Sequence, residues 1–168
     1  QSDDLRDGDT VERAVVGDRP EYEWAGDPRV RAIIAGLLED VDWNATVGTL
    51  SGGQRRRVDL ARLLIGDWDV LMLDEPTNHL DVRAITWLAE HLKTRWRRGA
   101  GALLVVTHDR WFLDEVCEAM WEVHGRRVWP FEGGFSAYIM QRVERDRLEA
   151  LAEQKRQNAL RRELAWLS

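Results

Sequence analysis

The chain has 168 residues, a net charge of −6, 44% hydrophobic and 32% charged residues, and one cysteine, Cys117. This length leaves room for one ordinary hydrophobic core, or for a core with an appendage, and the single cysteine excludes a disulfide within the chain. The longest aliphatic run, residues 102–106, is far shorter than the roughly 20 residues of a membrane-spanning helix, so we expect a soluble protein of a reducing, cytoplasmic compartment.

The charge is distributed unevenly along the chain. Residues 1–45 carry 12 acidic side chains against 5 arginines, whereas residues 141–168 carry 7 basic side chains against 5 acidic ones. The overall negative charge argues weakly against a general nucleic-acid binder. The mildly basic C-terminal segment could contact phosphates, although a solvated helix face of mixed charge is the simpler interpretation.

Two helices are predicted in the acidic N-terminal segment. The first covers residues 11–16 and begins after Asp9, an acidic residue of the kind that caps helices. The second has Asp27 as its N-cap and Pro28 in its first turn, and its apolar residues continue at helical spacing as far as Val41. One face of this second helix is therefore expected to be buried.

A Leu-Ser-Gly-Gly turn at residues 50–53 predicts the start of a helix over residues 54–65. The Ser51 hydroxyl and the N–H groups of the two glycines could face a phosphate at this helix start. Three arginines at positions 55–57 occupy the first turn, where cations oppose the helix dipole unless an anion lies nearby. The turn alone is a weak signal, because many helices begin after Ser-Gly.

Four apolar residues, Val70–Leu73, run directly into Asp74, Glu75 and a proline. The run is too short for a helix and predicts a buried parallel strand that carries two carboxylates at its carboxyl end. Adjacent strand residues point to opposite sides, so the two acids should have different roles. Phosphoryl transfer needs such a division, with one carboxylate for a hydrated Mg²⁺ and one for the attacking water. Taken alone, the pair is equally compatible with an ordinary turn.

The segment after the acids predicts a helix and a second strand. Asp81 is the expected cap of a helix that continues to about Arg98, and residues 102–106 form the strand. Strand, helix and strand in this order predict a right-handed crossover in a parallel sheet, and hence an α/β fold. His108, just after the second strand, could donate a hydrogen bond to a γ-phosphate, although a lone loop histidine usually has no such role.

The last third of the chain predicts a short helix, a hairpin and a long helix. The short helix covers residues 111–116, and the hairpin covers residues 119–131. Ser136 is the expected cap of a helix over residues 137–167, which contain no glycine or proline. Its apolar spacing is too irregular for a sustained heptad, which favours a partly packed arm that needs a partner segment.

Three segments together carry a family resemblance. Residues 50–58, residues 70–81 and residues 105–113 closely resemble, in this order, the signature, the Walker B with D-loop, and the switch-histidine segments of the ABC ATPase superfamily. The joint order and spacing are far more specific than any one of the three motifs.

Further features resemble the ABC-F family within that superfamily. They are Asn-His-Leu-Asp at residues 78–81, the segment 131–138 after the hairpin, and the long charged helix that follows. Residues 155–167 are similar to the start of the interdomain linker in the Uup-like branch of this family.

The resemblance implies ATP and Mg²⁺ as cofactors and a partial P-loop NTPase cassette with a helical arm subdomain, a β-hairpin and a long linker helix. It also implies a set of site residues. Glu75 would be the general base and His108 the γ-phosphate sensor, and the metal would be held by Asp74 and Gln1. The nucleotide contacts and the communication across a cassette dimer would involve Ser51, Gly52, Gly53, Gln54 and Asp81.

The resemblance further implies a domain division. A partial ABC ATPase domain would occupy residues 1–135, with the arm subdomain at 11–50 and the signature-to-hairpin part at 51–135. Residues 136–168 would begin the interdomain linker. We expect such a chain to be a piece of the first cassette, from the Q-loop to the linker.

One family motif has no counterpart in these residues. A phosphate-binding loop needs Gly-x-x-x-x-Gly-Lys-Ser/Thr, and the only two lysines, Lys93 and Lys155, follow Leu and Gln. We therefore expect these 168 residues alone to bind ATP weakly, if at all, and not to hydrolyse it. Ser51 and its neighbours could still act on ATP held by another cassette.

The expected partners are a second ABC cassette and the ribosome or its RNA, and exposed sheet edges could also lead to association. Three alternatives remain at this point. They are the nucleotide-binding subunit of a membrane transporter, a chromosome-maintenance or repair ATPase, and a hydrolysis-incompetent binding or dimerisation module.

Overall fold

The computed structural model describes residues 5–97 and 99–166, so Gln1, the predicted metal ligand, lies outside the described residues. The chain divides into two compact units, Gln1–Asp109 and Arg110–Ser168. The division predicted from the family resemblance, after residue 135, concerns the cassette and its linker and stays a prediction.

The first unit combines helices with a small parallel sheet, as an α/β fold requires. Its described elements are α1 (Val11–Val16), α2 (Glu21–Trp24), α3 (Pro28–Leu37), a 3₁₀ turn (Val47–Thr49), α4 (Gly52–Ile65), β1 (Val70–Asp74), α5 (Val82–Thr94) and β2 (Ala102–Val106).

The helix starts in this unit follow from capping side chains. Thr10 Oγ1 accepts the backbone N–H three residues further on at 3.2 Å, so the cap of α1 is Thr10 and not Asp9. Asp27 caps α3 as predicted. The helix ends at Leu37, short of Val41, which is nevertheless 8% exposed and contributes to the core from a loop.

The core of the first unit lies among α1, α3, α4, α5 and one face of the sheet. Each of these elements contributes aliphatic side chains that are almost completely buried, among them Val11, Ile33, Leu37, Val58, Leu64, Leu71 and Leu88. This burial is the main stabilising term of the unit.

Strands β1 and β2 pair in parallel, in a register that runs from Val70 opposite Ala102 to Asp74 opposite Val106. The strand β1, predicted as buried, is buried on one face only: Leu71 and Leu73 are 2% and 5% exposed. We call the opposite face the open sheet face. It consists of Val70 (59% exposed), Met72 (68%), Leu104 (38%) and Val106 (59%).

Helix α5 begins as predicted and ends earlier. Asp81 Oδ1 accepts the N–H of Ala84 at 2.8 Å and caps the helix. The last helical residue is Thr94, whereas the helix was expected to continue to about Arg98, which lies outside the described residues.

The second unit is built on a hairpin. Its elements are α6 (Arg110–Val116), β3 (Ala119–His124), β4 (Arg127–Glu132) and α7 (Phe135–Trp166). Gly125 and Arg126 form the hairpin turn with φ values of 57° and 61°. Two successive positive φ values give a type I′ turn, which matches the twist of antiparallel strands.

The start of α7 corrects one prediction. Ser136 lies inside the helix, and it donates both its backbone N–H and its hydroxyl to the Asp114 carboxylate, at 2.8 and 2.7 Å. The helix is therefore capped by a carboxylate from α6 and not by Ser136. The two hydrogen bonds from Ser136 hold the pKa of Asp114 below its usual value.

The long helix α7 is anchored at its N-terminal part. Arg145 lies over the rings of Trp129 and Phe131, with its Cζ 5.8 and 5.4 Å from the ring centroids, and Nη1 is 3.5 Å from Glu122 Oε2. No described residue of α7 is buried, so the helix is an exposed arm. Within the described residues, no helix has the length and apolar character needed to cross a membrane.

Candidate functional site

The parallel pairing of β1 and β2 brings the two predicted catalytic side chains together. Beyond the last paired residues, the Glu75 N–H donates to the Val106 carbonyl at 2.7 Å. Glu75 Oε1 then lies 3.5 Å from His108 Nε2. Carboxyl ends of parallel strands are where open α/β sheets place their ligands, so this edge is the candidate site.

The backbone at Glu75 explains how its carboxylate turns toward β2. Its φ is 49°, in the left-handed region that non-glycine residues rarely adopt. Such a conformation costs about 1–3 kcal/mol and is typical of functional sites. The strand ends at Asp74, so the alternation predicted for the two acids does not extend to Glu75; Asp74 is exposed, whereas the Glu75 side chain is 23% exposed.

Thr107 contacts the Glu75 carboxylate, and Thr77 contacts Thr107. Thr107 Oγ1 donates to Glu75 Oε2 at 3.1 Å and accepts the Asp109 N–H at 3.2 Å. Thr77 Oγ1 is 3.4 Å from Thr107 Oγ1, and Thr77 is buried at 8% exposure. Glu75 Oε2 is thus held by a hydroxyl, and Oε1 faces His108.

The His108 side chain is open to solvent. Its imidazole is 99% exposed, and its contact with Glu75 carries a charge only when the ring is protonated. A ligand that arrives at this edge would meet His108 and Glu75 Oε1 together. The arrangement can accept a proton at Glu75 and donate a hydrogen bond from His108.

Asp74 lies at the end of β1 beside a cavity of about 250 Å³ between α4 and β1. Among the described residues there is no group of three or more histidine, cysteine or acidic side chains that could hold a metal. Mg²⁺ commonly takes one or two carboxylates and completes its shell with water and phosphate oxygens. A single carboxylate at Asp74 therefore fits Mg²⁺ delivered with a nucleotide.

The predicted nucleotide-contacting turn is a capping box. Ser51 Oγ accepts the Gln54 N–H at 3.2 Å, and Gln54 Oε1 accepts the Ser51 N–H at 3.0 Å. The Ser51 hydroxyl proton and the side-chain amide of Gln54 can still be donated. The N–H groups of Gly52 and Gly53 belong to the first turn, which has no intrahelical partners, so the turn can present donors to an anion.

The capping-box turn and the turn after the acids are neighbours. A Cβ atom placed on Gly53 would lie 3.4 Å from His79 Cβ, an ordinary van der Waals contact. His79 has a φ of 65°, and two residues later Asp81 caps α5. The structure thus gives Asp81 a capping role; its predicted role across a cassette dimer stays a prediction.

The anions expected near the arginines of α4 come from the chain itself. Arg55 donates to Asp7 at 2.5 Å, and Arg57 binds both carboxylate oxygens of Asp40 at 2.5 and 2.8 Å. The bonds from Arg57 hold the pKa of Asp40 below its usual value. The acidic N-terminal segment thus offsets cations that oppose the helix dipole.

The sequence did not identify Thr77 and Thr107 as site residues. The signal that could have found them is the strand register: once Asp74 is placed opposite Val106, Glu75 and Thr107 are the next residues along the two strands. The motif order fixed neither that register nor the φ of Glu75.

Comparison with known proteins supports the family resemblance that the motifs indicate. The family model described as ABC transporter matches residues 3–78, which is less than half of the chain. The match includes the capping-box turn and the strand that carries Asp74 and Glu75.

Three curated relatives align with a larger part of the chain than the family model does. The energy-dependent translational throttle protein EttA of Mycobacterium tuberculosis is 46% identical over 121 residues, which are 72% of this chain and 21% of EttA. The ATP-binding protein ChvD of Rhizobium radiobacter is 45% identical over 125 residues, which are 74% of this chain and 42% of ChvD. EttA of Escherichia coli K12 is 41% identical over 133 residues, 79% of this chain and 23% of EttA.

Solved structures show the same fold. A structure of the ATP-binding subunit of an ABC transporter has a TM-score of 0.63 and 22% identity, and the match covers 79% of this chain and 56% of that one. A structure of the archaeal ribosomal stalk protein aP1 with the archaeal ribosome recycling factor aABCE1 has a TM-score of 0.66 and 22% identity, over 86% of this chain and 28% of that one.

The fold is therefore that of an ATP-binding cassette ATPase. Within that class, the chain is similar to EttA and ChvD, and this similarity is consistent with a fragment of an ABC-F ATPase. The chain spans about a fifth of the length of EttA and less than half of ChvD.

Proposed function

We propose that this chain supplies the signature, Walker B, D-loop and switch-histidine parts of a site that hydrolyses ATP between two ABC cassettes. The observation that carries the proposal is the contact of Glu75 Oε1 with His108 Nε2, at 3.5 Å, where β1 and β2 end. A carboxylate and an imidazole at this edge supply a general base and a phosphate-facing donor in one place.

The roles follow from the positions of the side chains. Glu75 takes a proton from the attacking water, and His108, exposed beside it, donates a hydrogen bond to the γ-phosphate. Asp74, at the end of β1, would hold Mg²⁺, and that ion would neutralise charge on the phosphate oxygens. The capping-box turn at the start of α4 presents backbone N–H groups and the Ser51 hydroxyl to ATP held by the opposite cassette.

The proposal places the phosphate-binding loop outside these 168 residues. Neither Lys93 nor Lys155 lies in a Gly-x-x-x-x-Gly-Lys sequence, so the β- and γ-phosphates of a bound ATP must be held by another segment. The isolated chain is accordingly expected to be inactive.

Replacing Glu75 tests the proposed activity. The chain is joined to a segment that carries Gly-x-x-x-x-Gly-Lys-Ser/Thr, the Walker A motif, and ATP hydrolysis is measured for the wild type and for Glu75→Gln. Loss of the base is expected to reduce kcat by at least about 100-fold while ATP binding persists. Glu163→Gln, an exposed change on α7, is the matched control. A Glu75→Gln protein that hydrolyses ATP at the wild-type rate would refute the proposal.

We also propose a role in translation for the protein, by similarity to relatives named for a translational throttle. In the structure, the exposed helix α7 carries arginines suited to phosphate contacts, and Arg161 and Arg162 lie far from its anchored part. Co-sedimentation with ribosomes should weaken in an Arg161→Gln, Arg162→Gln variant. Unchanged co-sedimentation would remove the support that α7 gives to this role.

A second candidate is a binding or dimerisation module that does not hydrolyse ATP. The observation that favours it is the open sheet face together with the lack of a Walker A motif in these residues. The joined protein separates the two functions. If it binds a second cassette but hydrolyses no ATP with Glu75 intact, the module is the better description.

A further inference from the structure

Thr107 has a complete and directional set of hydrogen-bond partners. Its hydroxyl has one proton and two lone pairs. The ionised Glu75 carboxylate can only accept, and the Asp109 N–H can only donate, so the Thr107 proton must point at Glu75 Oε2, 3.1 Å away. The remaining lone pair then receives the Thr77 hydroxyl at 3.4 Å. The order of donation is therefore Thr77 to Thr107 to Glu75.

This order distinguishes the two oxygens of Glu75. Oε2 is held by a partly buried hydroxyl, whereas Oε1 faces the exposed imidazole of His108. The backbone of Glu75 is already fixed, because its N–H is bonded to Val106 O at 2.7 Å and its φ is 49°. In addition, the Thr107 hydroxyl restrains the side chain of Glu75.

We propose that Thr107 is a positioning residue that fixes Glu75 with Oε1 as the oxygen that receives the proton. The proposal rests on the function proposed above. In the reaction, an O–H bond of the attacking water breaks and its proton moves to Oε1. The oxygen forms a bond to the γ-phosphorus, and the bond from that phosphorus to the ADP oxygen breaks with its electron pair. Throughout, Oε2 keeps its bond from Thr107, so the neighbouring hydroxyls need not reorient.

The simpler interpretation is that Thr107 only caps the turn after β2 through the Asp109 N–H. Thr107→Ser retains the hydroxyl, and with it all three contacts. Thr107→Val loses both the donor to Glu75 and the acceptor of the Asp109 N–H. A role in capping alone would leave the Glu75 side chain ordered in Thr107→Val, so the order of that side chain separates the two roles. Thr77→Val removes only the donor to Thr107 and is expected to have a smaller effect.

The first test uses the 168-residue chain and needs no hydrolysis. Side-chain NMR relaxation reports the order of the Glu75 Cγ methylene on the picosecond-to-nanosecond timescale. The order is expected to fall in Thr107→Val and to stay at the wild-type level in Thr107→Ser. An unchanged order in a folded Thr107→Val variant would overturn the proposal.

The second test measures hydrolysis in the chain joined to a Walker A segment. Thr107→Val is expected to lower kcat roughly 10- to 100-fold with KM nearly unchanged, as for a misplaced catalytic group, and Thr107→Ser is expected to restore the rate. Equal kcat values in Thr107→Val and the wild type would overturn the role. If no variant hydrolyses ATP, the wild type included, the function fails, whereas the relaxation result still decides whether Thr107 orders Glu75.

Discussion

Gly36 lies inside α3, where a glycine normally costs up to about 1 kcal/mol relative to alanine. The structure gives the reason for it. A Cβ atom at this position would overlap the indole ring of Trp87, which packs across α3 from α5. The missing side chain therefore sets how closely α3 can approach α5.

Gly36→Ala should destabilise the protein in spite of the better helix propensity of alanine. Overpacking typically costs 1–3 kcal/mol, so we expect a net loss of about 1–2 kcal/mol in urea unfolding. The double variant with Trp87→Leu should recover part of that loss, because the smaller side chain leaves room for the methyl group. Gly8→Ala, with no atom near the added Cβ, is the control. A midpoint of urea unfolding that is higher for Gly36→Ala than for the wild type would contradict the packing argument.

At the scale of elements, the C-terminal end of α4 is capped by side chains from two other helices. Arg29 of α3 donates to Ile65 O at 2.6 Å, and Arg95, just after α5, donates to Leu64 O at 2.7 Å and to Gly66 O at 2.5 Å. These bonds satisfy carbonyls that have no intrahelical partner. Burial, and then the charge of Arg29, lower the pKa of Arg95. The capped end lies directly before strand β1, which carries Asp74.

Arg95→Ala should cost about 2 kcal/mol, since hydrogen bonds from charged groups contribute about 1.5–3 kcal/mol and buried carbonyls are left unpaired. Arg62→Ala is the matched control. It removes another arginine near the same helix end, but one that forms an ion pair with Asp59 of its own helix, at 2.9 Å. Such pairs contribute about 0–1 kcal/mol. Equal losses of unfolding free energy in the two variants would argue against the cap.

His91 of α5 gives this part of the fold a pH dependence. Its ring stacks on Trp87 at a centroid distance of 5.0 Å, and burial, together with the charges of Arg95 and Arg29, lowers the pKa of His91 from 6.5 to about 4. Between these two values the unfolded chain binds the proton and the folded one does not, so stability falls as the pH falls from 6.5 to 4.

If the whole pKa shift of His91 contributed, the free energy of unfolding would fall by roughly 3 kcal/mol between pH 6.5 and 4. Because the ring is partly exposed, we expect a loss of about 2 kcal/mol. His91→Phe keeps the stacked ring and should remove this slope in unfolding measurements across the window. His124→Gln, at the exposed last residue of β3, is the matched control. An identical pH profile for His91→Phe and the wild type would show that His91 is not the titrating group.

Most of the elements could be predicted from the sequence, because their signals are local. The Leu-Ser-Gly-Gly turn, the Asp27 and Asp81 caps and the two short aliphatic runs locate β1, β2 and the starts of α3, α4 and α5 to within two residues, whereas α3 and α5 end before their predicted ends. The contacts between elements could not be predicted. Asp114 caps α7 from another helix, and Thr107 meets Glu75 across two strands, so both depend on how the elements pack.

The sequence predicted the residues of the candidate site but not their relative positions. The motif order identified Glu75 and His108, and the structure brings them into contact. The left-handed φ of Glu75 has no signal in the sequence, because glutamate rarely adopts it. The open sheet face could not be predicted from β1 itself, because residues 70–73 are apolar on both faces of the strand.

At the scale of the whole molecule, the open sheet face should drive association. Contiguous exposed aliphatic side chains on one face of a sheet are typical of interaction or aggregation surfaces. Sedimentation over a concentration series should show dimers or larger species for the wild type and a shift toward monomer for Met72→Lys. Met140→Lys, at an equally exposed methionine of α7, should have no such effect. A wild type that stays monomeric over the whole series would contradict this prediction.

The central claim is that Glu75 is the general base of an ATP site whose phosphates are held by a segment other than these 168 residues. The most direct measurement compares ATP hydrolysis by the isolated chain with hydrolysis by the chain joined to a Walker A segment, each with Glu75 and with Glu75→Gln. We predict no hydrolysis by the isolated chain, and hydrolysis by the joined protein that Glu75→Gln abolishes. Hydrolysis by the isolated chain that Glu75→Gln abolishes would contradict the claim.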